Sequence, residues 1–273
     1  MKIFDRLPRA IALAALVLVP GVASAAPCGN DSSGFSAWLT DFKSLAQANG
    51  ISAGVIDQAL SRVSYDTKAI GLDRGQKKTF SQSFEKFAST RANAGAIALA
   101  KRAMNRNASL LAAVEARYGV PKEIIVALWG LETGFGNFSG NKPVFPPLAT
   151  LAYDCRRSAF FTNELLSALK ILQRGDLTLD EMKGAGFGEL GQTQFLPSKY
   201  LAYAVDGDGD GRRDLLRSVP DVLYSTANYL RGHGWQPGAG YNEGEPNFAV
   251  LNEWNRSTVY QQTIAYYATK IAN

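Results

Sequence analysis

Apolar residues recur at helical spacing along most of the chain. The run 35–49 collects them on one face and ends at an Asn-Gly pair, and a second helix is predicted after Ser52. Residues 61–95 are more polar, so we expect this stretch to wrap across the surface. The helical period returns over about 95–118, and after a glycine Pro121 opens another helix.

Strand patterns are scarce in the second half of the sequence. The stretch 232–250 is Gly-rich and loop-like, and the chain contains no internal repeat, low-complexity tract or long linker. We therefore predict a mostly α fold with Gly-rich loops and little β structure. The further predicted helices span 160–174, 178–183, 197–204, 220–231 and 257–272.

The helix that begins at Pro121 is apolar nearly all round, yet its last turn contains a carboxylate. No charge occurs in IIVALWGL, between Glu123 and Glu132, so the helix should be central. Glu132 falls in the last turn, before Gly134 and Gly136, where desolvation and the helix dipole both favour the neutral acid. Such a carboxyl suits a general acid for a glycosidic oxygen. The alternative is a core-edge Glu bonded to a backbone donor or an Arg.

The acidic run DGDGDGRRD is a second candidate site. Asp206, Asp208 and Asp210 match positions 1, 3 and 5 of an EF-hand calcium loop. Arg212, at position 7, needs to supply only its backbone carbonyl, whereas position 12, normally Glu, is Arg217. Because clustered aspartates repel one another without a cation, we predict a structural Ca²⁺ site. A solvated acidic turn is the alternative.

The N-terminus indicates where the protein works. Residues 1–25 have basic residues, then the apolar run AIALAALVLV, then Ala-Ser-Ala, which is the pattern of a cleaved secretory signal. The apolar run is too short for a permanent membrane span. Cleavage after Ala25 leaves 26 basic and 23 acidic residues, a net charge of +3 that suits anionic polymers but does not argue for nucleic acid. We expect a soluble periplasmic protein, because Pro27 before Cys28 disfavours a lipoprotein anchor.

Cysteine and histidine are rare in this chain. Cys28 and Cys155, the only cysteines, would both remain after signal cleavage, so an oxidising compartment favours a disulfide between them. Two unrelated thiols are the alternative. His233 is the single histidine, so the chain has few residues from which a zinc site or a Ser-His-Asp triad could be built. We therefore expect catalysis without a cofactor.

Five segments have a specific order and spacing: RYGVPKEIIVALWGLETGFG (117–136), LATLAYDCRRSAFF (148–161), GQTQFLPSKYLAYAVDGDGDGRRDL (191–215), ANYLRGHGW (227–235) and WNRSTVY (254–260). In this arrangement the chain resembles the lytic murein transglycosylases of the B type, relatives of goose-type lysozyme in fold. The resemblance runs from about Phe35 to the C-terminus. It implies a lysozyme-like catalytic core over 101–273 and an N-terminal helical region over 26–100.

The resemblance implies a reaction and a set of site residues. The family cleaves the MurNAc-β-1,4-GlcNAc bond of peptidoglycan and leaves a 1,6-anhydro-muramoyl product. Its single catalytic acid, which then acts as base, falls on Glu132. Its lengthened EF-hand-like loop, here 206–221, makes Asp221 the candidate last calcium ligand. The residues implied in substrate binding are Gln194, Phe195, Tyr229, Trp254, Tyr260, Arg156 and Arg157.

Two positions in GAGFGELG (184–191) depart from the family's usual pattern. Ala185 stands where a hydroxyl often helps to hold the substrate's acetamido group, and Glu189 stands where a small residue is usual. Glu189 leaves open a muramidase-type hydrolase that uses it together with Glu132, although we expect it to be bound to a basic partner. A non-catalytic peptidoglycan- or calcium-binding module is the alternative outside enzymes. We expect peptidoglycan glycan strands as the partner, and a monomer that neither spans the membrane nor binds nucleic acid.

Overall fold

Helices form nearly all the regular structure in the computed structural model, which describes residues 27–79 and 82–273. The expected mostly α fold is confirmed. The predicted signal segment, 1–25, lies outside the described residues. The helices are α1 (Phe35–Ala48), α2 (Ala53–Leu60), α3 (Thr67–Thr79), α4 (Phe84–Arg91), α5 (Ala94–Arg106), α6 (Ala108–Tyr118), α7 (Lys122–Thr133), α8 (Phe145–Tyr153), α9 (Ser158–Arg174), α10 (Pro197–Tyr203), α11 (Val219–Gly232), α12 (Phe248–Trp254) and α13 (Thr258–Ala272).

Strand structure in the described part of the chain is limited to one short antiparallel pair. Strand β1 (Lys142–Pro143) pairs with β2 (Lys183–Gly184). The predicted helix over 178–183 is wrong: a 3₁₀ turn at Leu179–Glu181 takes its place, and β2 follows at once. This pairing of two strands that are distant in sequence places the loop that follows β2 beside the end of α7.

The central helix of the molecule is α7, as its all-apolar sequence predicted. Its residues 124–128 are completely buried. Helices α5, α6, α11 and α13 pack around it. At its C-terminal end, Gly134 adopts a left-handed conformation with φ 59°, which a glycine reaches without steric cost. The chain therefore turns away from α7 just beyond Thr133, the residue after Glu132.

The polar stretch 61–95 holds two helices, α3 and α4, which the apolar pattern did not locate, and α4 buries only Phe87 and Ala88. Two sequence expectations about the helices need correction. The run 95–118 is two helices, because Asn107 interrupts it and its amide Nδ2 donates to the Ala103 carbonyl at 2.8 Å. Part of the expected loop 232–250 belongs to α12, which begins at Phe248.

A disulfide between Cys28 and Cys155 fixes the start of the described chain, with the two Cα atoms 4.9 Å apart. Beside it, the Gly29 N–H donates to the Tyr153 carbonyl at 3.0 Å. The ring of Tyr153 lies so close that a Cβ at Gly29 would come within 1.9 Å of its hydroxyl oxygen. The segment 27–34 is thus packed on the end of α8. No helix in the described residues has the length and apolar character of a membrane span.

Candidate active site

A cleft of about 450 Å³ opens at the C-terminal end of α7. Segments that are far apart in sequence meet there, from α7 to the end of α12. The lining residues are Glu132, Arg157, Phe160, Phe161, Ala185, Phe187, Glu189, Thr193, Gln194, Phe195, Leu196, Lys199, Tyr229, Glu253, Trp254 and Asn255.

Two aromatic side chains hold the carboxylate of Glu132. The Trp254 indole Nε1 donates to Oε1 of Glu132 at 2.8 Å, and the Tyr260 hydroxyl donates to the same oxygen at 2.6 Å. Within the described part of the chain, Oε2 receives no hydrogen bond and remains available to a ligand. These contacts show that Trp254 and Tyr260 position Glu132. The sugar contact that the family resemblance implies for both residues stays a prediction.

Burial and hydrogen bonding act in opposite directions on Glu132. Burial is the larger influence and raises the pKa of Glu132. The hydrogen bonds from Tyr260 and Trp254, and the nearby Arg91, oppose this rise because they stabilise the carboxylate. Burial also raises the pKa of Tyr260 well above its usual range, so that its phenol stays protonated and donates. The site therefore favours the neutral acid while keeping two donors ready for the anion.

Gln192 fixes the turn that faces Glu132. Its Oε1 accepts from the Trp129 indole at 2.8 Å, and its Nε2 donates to the Leu216 carbonyl at 2.9 Å. The Thr133 hydroxyl, next to Glu132, donates to the Gln192 carbonyl at 2.5 Å. Neither Gln192 nor Thr133 was expected at the site from the sequence. Their positions inside the ETG and GQTQF segments, close to Glu132 and Gln194, could have indicated that they belong to the site.

Two residues beside the cleft adopt left-handed backbone conformations without being glycine. Phe135 has φ 64° and Gln194 has φ 51°. The Gln194 amide Nε2 donates to the carbonyls of Gly191, at 2.7 Å, and Ser139, at 3.2 Å. These bonds compensate for the steric cost of the left-handed region, which is about 1–2 kcal/mol for a residue with a Cβ. Gln194 thereby links the loop after α7 to the turn 190–195.

Three of the aromatic residues expected at the site, Phe195, Tyr229 and Trp254, line the cleft, whereas Tyr260 does not. Phe195 packs edge-on against Tyr229 and Trp254, with ring centroids 5.7 and 5.6 Å apart. The Tyr229 hydroxyl donates to the Glu253 carbonyl at 2.5 Å. Phe195 and Tyr229 are largely buried, at 3% and 5% exposure. They therefore line the cleft and contribute to the core at the same time.

The paired arginines occupy different environments. Both guanidinium groups form ion pairs with the buried carboxylate of Asp73 on α3. Arg157 lines the cleft and its guanidinium lies 4.7 Å from the centre of the Phe161 ring, whereas Arg156 is not a lining residue. The structure thus brings Arg157 but not Arg156 to the cleft.

A second carboxyl group, Glu189, lies in the same cleft as Glu132. Its Oε2 accepts from the Phe187 N–H at 3.1 Å. Burial raises the pKa of Glu189 to about 7, and the proximity of Glu132 adds to this rise. Ala185 also lines the cleft, and its methyl group adds no hydrogen-bonding atom to the wall.

The acidic loop 206–221 lies outside this cleft. Carboxylate oxygens of Asp206, Asp208 and Asp210 lie within 4.8 Å of one another. The Asp206 carboxylate accepts from the N–H groups of Gly209 and Gly211 at 2.7 and 2.8 Å, which curls the loop around it. This donor set fits a hard cation such as Ca²⁺.

Asp221 and Arg212 contribute differently to that loop. The Asp221 carboxylate accepts from the N–H groups of Gly207, at 2.7 Å, and Asp214, at 2.6 Å, and so joins the two ends of the loop. The Arg212 guanidinium donates to the Asp176 carbonyl at 2.9 Å. The side chain of Arg212 is therefore bonded to a residue outside the loop, and only its backbone carbonyl could bind an ion within the loop. The three-aspartate group does not include Asp221.

The chain is similar to proteins from two bacteria. Over 122 residues it is 41% identical to the membrane-bound lytic murein transglycosylase B of Escherichia coli (strain K12); this match covers 44% of the chain and only 34% of that relative. SltB3 from Pseudomonas aeruginosa, solved with NAG-NAM-pentapeptide, superposes with a TM-score of 0.83 at 30% identity, covering 88% of this chain and 80% of that one. A second SltB3 structure holds NAG-anhNAM-pentapeptide.

The soluble lytic transglycosylase SltB1 from Pseudomonas aeruginosa has a TM-score of 0.78 at 25% identity, over 86% of this chain and 98% of that one. These matches confirm the predicted lysozyme-like lytic transglycosylase fold and the resemblance to the B-type enzymes. Residues 34–244, which include Glu132 and most of the cleft, match the transglycosylase SLT domain family. The chain belongs to the transglycosylase SLT domain family.

Proposed function

We propose that this chain is a peptidoglycan lytic transglycosylase that cleaves the MurNAc-β-1,4-GlcNAc bond and leaves a 1,6-anhydro-muramoyl end. The observation that supports this most strongly is Glu132, a half-buried carboxyl at the edge of a cleft whose Oε2 receives no hydrogen bond from the residues that the structure describes. The SltB3 complexes, which contain NAG-NAM and NAG-anhNAM peptides, support the substrate and product by similarity.

In the first step, Glu132 acts as an acid. Burial keeps its carboxyl group protonated to a higher pH than usual, so it can transfer a proton to the glycosidic oxygen as the C1–O bond breaks. The GlcNAc end leaves as an alcohol with that proton. The acetamido carbonyl of the muramoyl residue stabilises the positive charge that develops at C1.

In the second step, the same group acts as a base. The Glu132 carboxylate, now stabilised by the Tyr260 and Trp254 donors, removes the proton from the C6 hydroxyl of the muramoyl residue. The C6 oxygen then bonds to C1 and closes the 1,6-anhydro ring, which returns Glu132 to its acid form. No water molecule is consumed and no second carboxylate is needed.

Product analysis of digested peptidoglycan tests this reaction. We expect mass spectrometry to detect anhydro ends with the native chain and none with Glu132→Gln, which keeps the shape but cannot transfer a proton. Glu123→Gln, in the first turn of the same helix, is the matched control and should retain activity. Substantial turnover by Glu132→Gln would refute the proposal, and product-free binding by the native chain would favour a non-catalytic module.

Hydrolysis is the second candidate reaction, and the position of Glu189 in the same cleft favours it. A water molecule activated by Glu189 would attack C1 and leave reducing ends in place of anhydro ends. We expect Glu189→Gln to cost far less activity than Glu132→Gln, because the proposed reaction uses no second carboxylate. Reducing ends as the main product, lost in folded Glu189→Gln, would establish the hydrolase instead.

We also propose that the protein is exported and that the loop 206–221 binds Ca²⁺ as a structural ion. Export is supported by the signal-like residues 1–25, and N-terminal sequencing of periplasmic protein tests cleavage after Ala25. Calcium binding is supported by the convergence of Asp206, Asp208 and Asp210. Asp221 and the Arg212 carbonyl would complete the ligand set. The ion would stabilise the loop and take no part in the chemistry.

A further inference from the structure

The loop after β2 places one polar side chain in the cleft for which the proposed reaction has no use. Within GAGFGELG (184–191), Glu189 is the only residue whose side chain can form hydrogen bonds. Ala185, Phe187 and Glu189 all line the cleft. Any side-chain hydrogen bond from this loop to a bound glycan must therefore come from Glu189.

The position of Glu189 is fixed by the turn that follows it. The Leu190 and Phe195 backbones exchange two hydrogen bonds of 2.8 Å each, which closes the turn 190–195. Gln192, inside that turn, is bonded to Trp129 on α7. On the other side of Glu189, a Cβ at Gly188 would lie 2.3 Å from Leu148, so the loop packs tightly on α8. Glu189 is consequently held in a defined position relative to Glu132.

The charges around Glu189 favour its neutral form. The charged groups that face it are Glu132, at the end of α7, and Arg157, before α9. Within residues 27–79 and 82–273, Glu189 forms no ion pair, and Arg157 is paired with Asp73. Burial, the larger influence, and Glu132 together raise the pKa of Glu189 to about 7. Below neutral pH the group is mostly a carboxylic acid, which can donate a hydrogen bond.

The carboxyl group of Glu189 is held by backbone donors of its own loop. Oε2 accepts from the Phe187 N–H at 3.1 Å, and the N–H of Glu189 itself also bonds to the carboxyl group. Both contacts lower the pKa of Glu189, but burial outweighs them. Because Glu189 lines the cleft, a proton on this carboxyl can be donated to a ligand bound there. A protonated oxygen needs an acceptor on the ligand, whereas an ammonium group would need the carboxylate that burial and Glu132 disfavour.

We propose that Glu189 is a specificity-determining residue that, as a neutral acid, donates a hydrogen bond to an acetamido carbonyl oxygen of the bound glycan. This inference rests on the proposed function, because every sugar of the proposed substrate has such a group. It assigns Glu189 a binding role that requires neither water activation nor a second catalytic carboxylate.

Calorimetric titration with a GlcNAc tetramer tests this assignment without turnover. The parent protein is Glu132→Gln, which binds but does not cleave; because burial is the larger cause of the shifted pKa of Glu189, the direction of the shift survives this change. We expect affinity to be higher at pH 6 than at pH 8. Adding Glu189→Ala should weaken binding at pH 6 by about threefold to tenfold, the range of one neutral hydrogen bond, and abolish the pH dependence.

Glu189→Gln is the discriminating variant, because its amide can donate but cannot titrate. Added to the parent, it should retain most of the pH 6 affinity at both pH values. The inference is overturned if the Glu189→Ala variant, shown to be folded by its melting curve, binds as the parent does. It is also overturned if affinity rises with pH or if a glucosamine tetramer binds better than the acetylated one. These results are independent of product analysis, which tests the proposed reaction separately.

Discussion

Tyr260 is the residue through which the ionisation of Glu132 can be adjusted experimentally. Its hydroxyl bond stabilises the Glu132 carboxylate and so opposes the rise in pKa that burial causes. In Tyr260→Phe the pKa of Glu132 should rise further. The acid step needs the protonated form, so the loss of activity on the alkaline side should move to higher pH.

The same substitution should lower the maximal rate, because the base step loses a donor to the carboxylate. A hydrogen bond to a charged group contributes about 1.5–3 kcal/mol, so we expect a decrease of roughly tenfold to a hundredfold. The pH–rate profile measures both effects. Tyr266→Phe, on the same helix but lining a separate groove, is the control and should leave the profile unchanged. An unmoved alkaline limb in Tyr260→Phe would contradict this account of Glu132.

The position of Glu132 could be predicted from the sequence, because an apolar helix that ends in a carboxylate is unusual. Its catalytic role stays a prediction. The actual partners of Glu132 were not predictable from spacing, since Trp254 and Tyr260 lie more than a hundred positions away. Their ring chemistry suited sugar contact equally well, and only the fold shows that their polar atoms bond to the carboxylate.

At the scale of elements, the loop 206–221 leads to a prediction about how calcium affects the stability of the protein. If Ca²⁺ binds only the folded loop, a concentration of a hundred times the dissociation constant stabilises the protein by about 2.7 kcal/mol. We expect chelation to lower the melting temperature and Asp210→Asn to abolish the effect of added calcium. Melting curves that coincide in excess calcium and in chelator would mean that the acidic turn binds no ion.

The disulfide in the N-terminal segment leads to a second prediction about stability. Cys28 and Cys155 are 127 residues apart, and for loops of this size the chain-entropy treatment gives about 4–5 kcal/mol of stabilisation, less any strain. Reductant should therefore lower the melting temperature of the native chain markedly. The double variant Cys28→Ser/Cys155→Ser should melt lower and be insensitive to reductant. Two free thiols titrating in non-reduced, denatured periplasmic protein would show that the bridge does not form.

Helix boundaries show why the element pattern was only partly predictable. Apolar spacing located α1, α2, α7 and α13 because each buries a broad face. It missed α8, which opens with Pro146 and Pro147, because the nearly all-apolar sequence has no period. It merged α5 and α6, because the helical period continues across Asn107 even though the backbone changes direction there.

On the scale of the whole molecule, packing around α7 creates the cleft. The segments that carry Arg157, Glu189, Phe195 and Trp254 are dispersed over about a hundred residues, and all four residues line the cleft at the end of α7. The overall architecture was predictable because the family motifs occur in order. The pairs of lining residues that face one another could not be predicted, since they depend on contacts such as the Gln192–Trp129 bond. The division at residue 100 and the monomeric state stay predictions.

The left-handed backbone of Gln194 has a consequence for protein engineering. Glycine adopts φ 51° without steric cost, but Gln194→Gly would also remove the two amide bonds that join the loop after α7 to the facing turn, and it would add backbone freedom to the unfolded chain. These losses offset the relief of steric cost, so a library selected only for heat resistance should retain glutamine at this position. Selection for robustness is therefore expected to preserve this side of the cleft, because one side chain serves both the stability of the turn and the shape of the site.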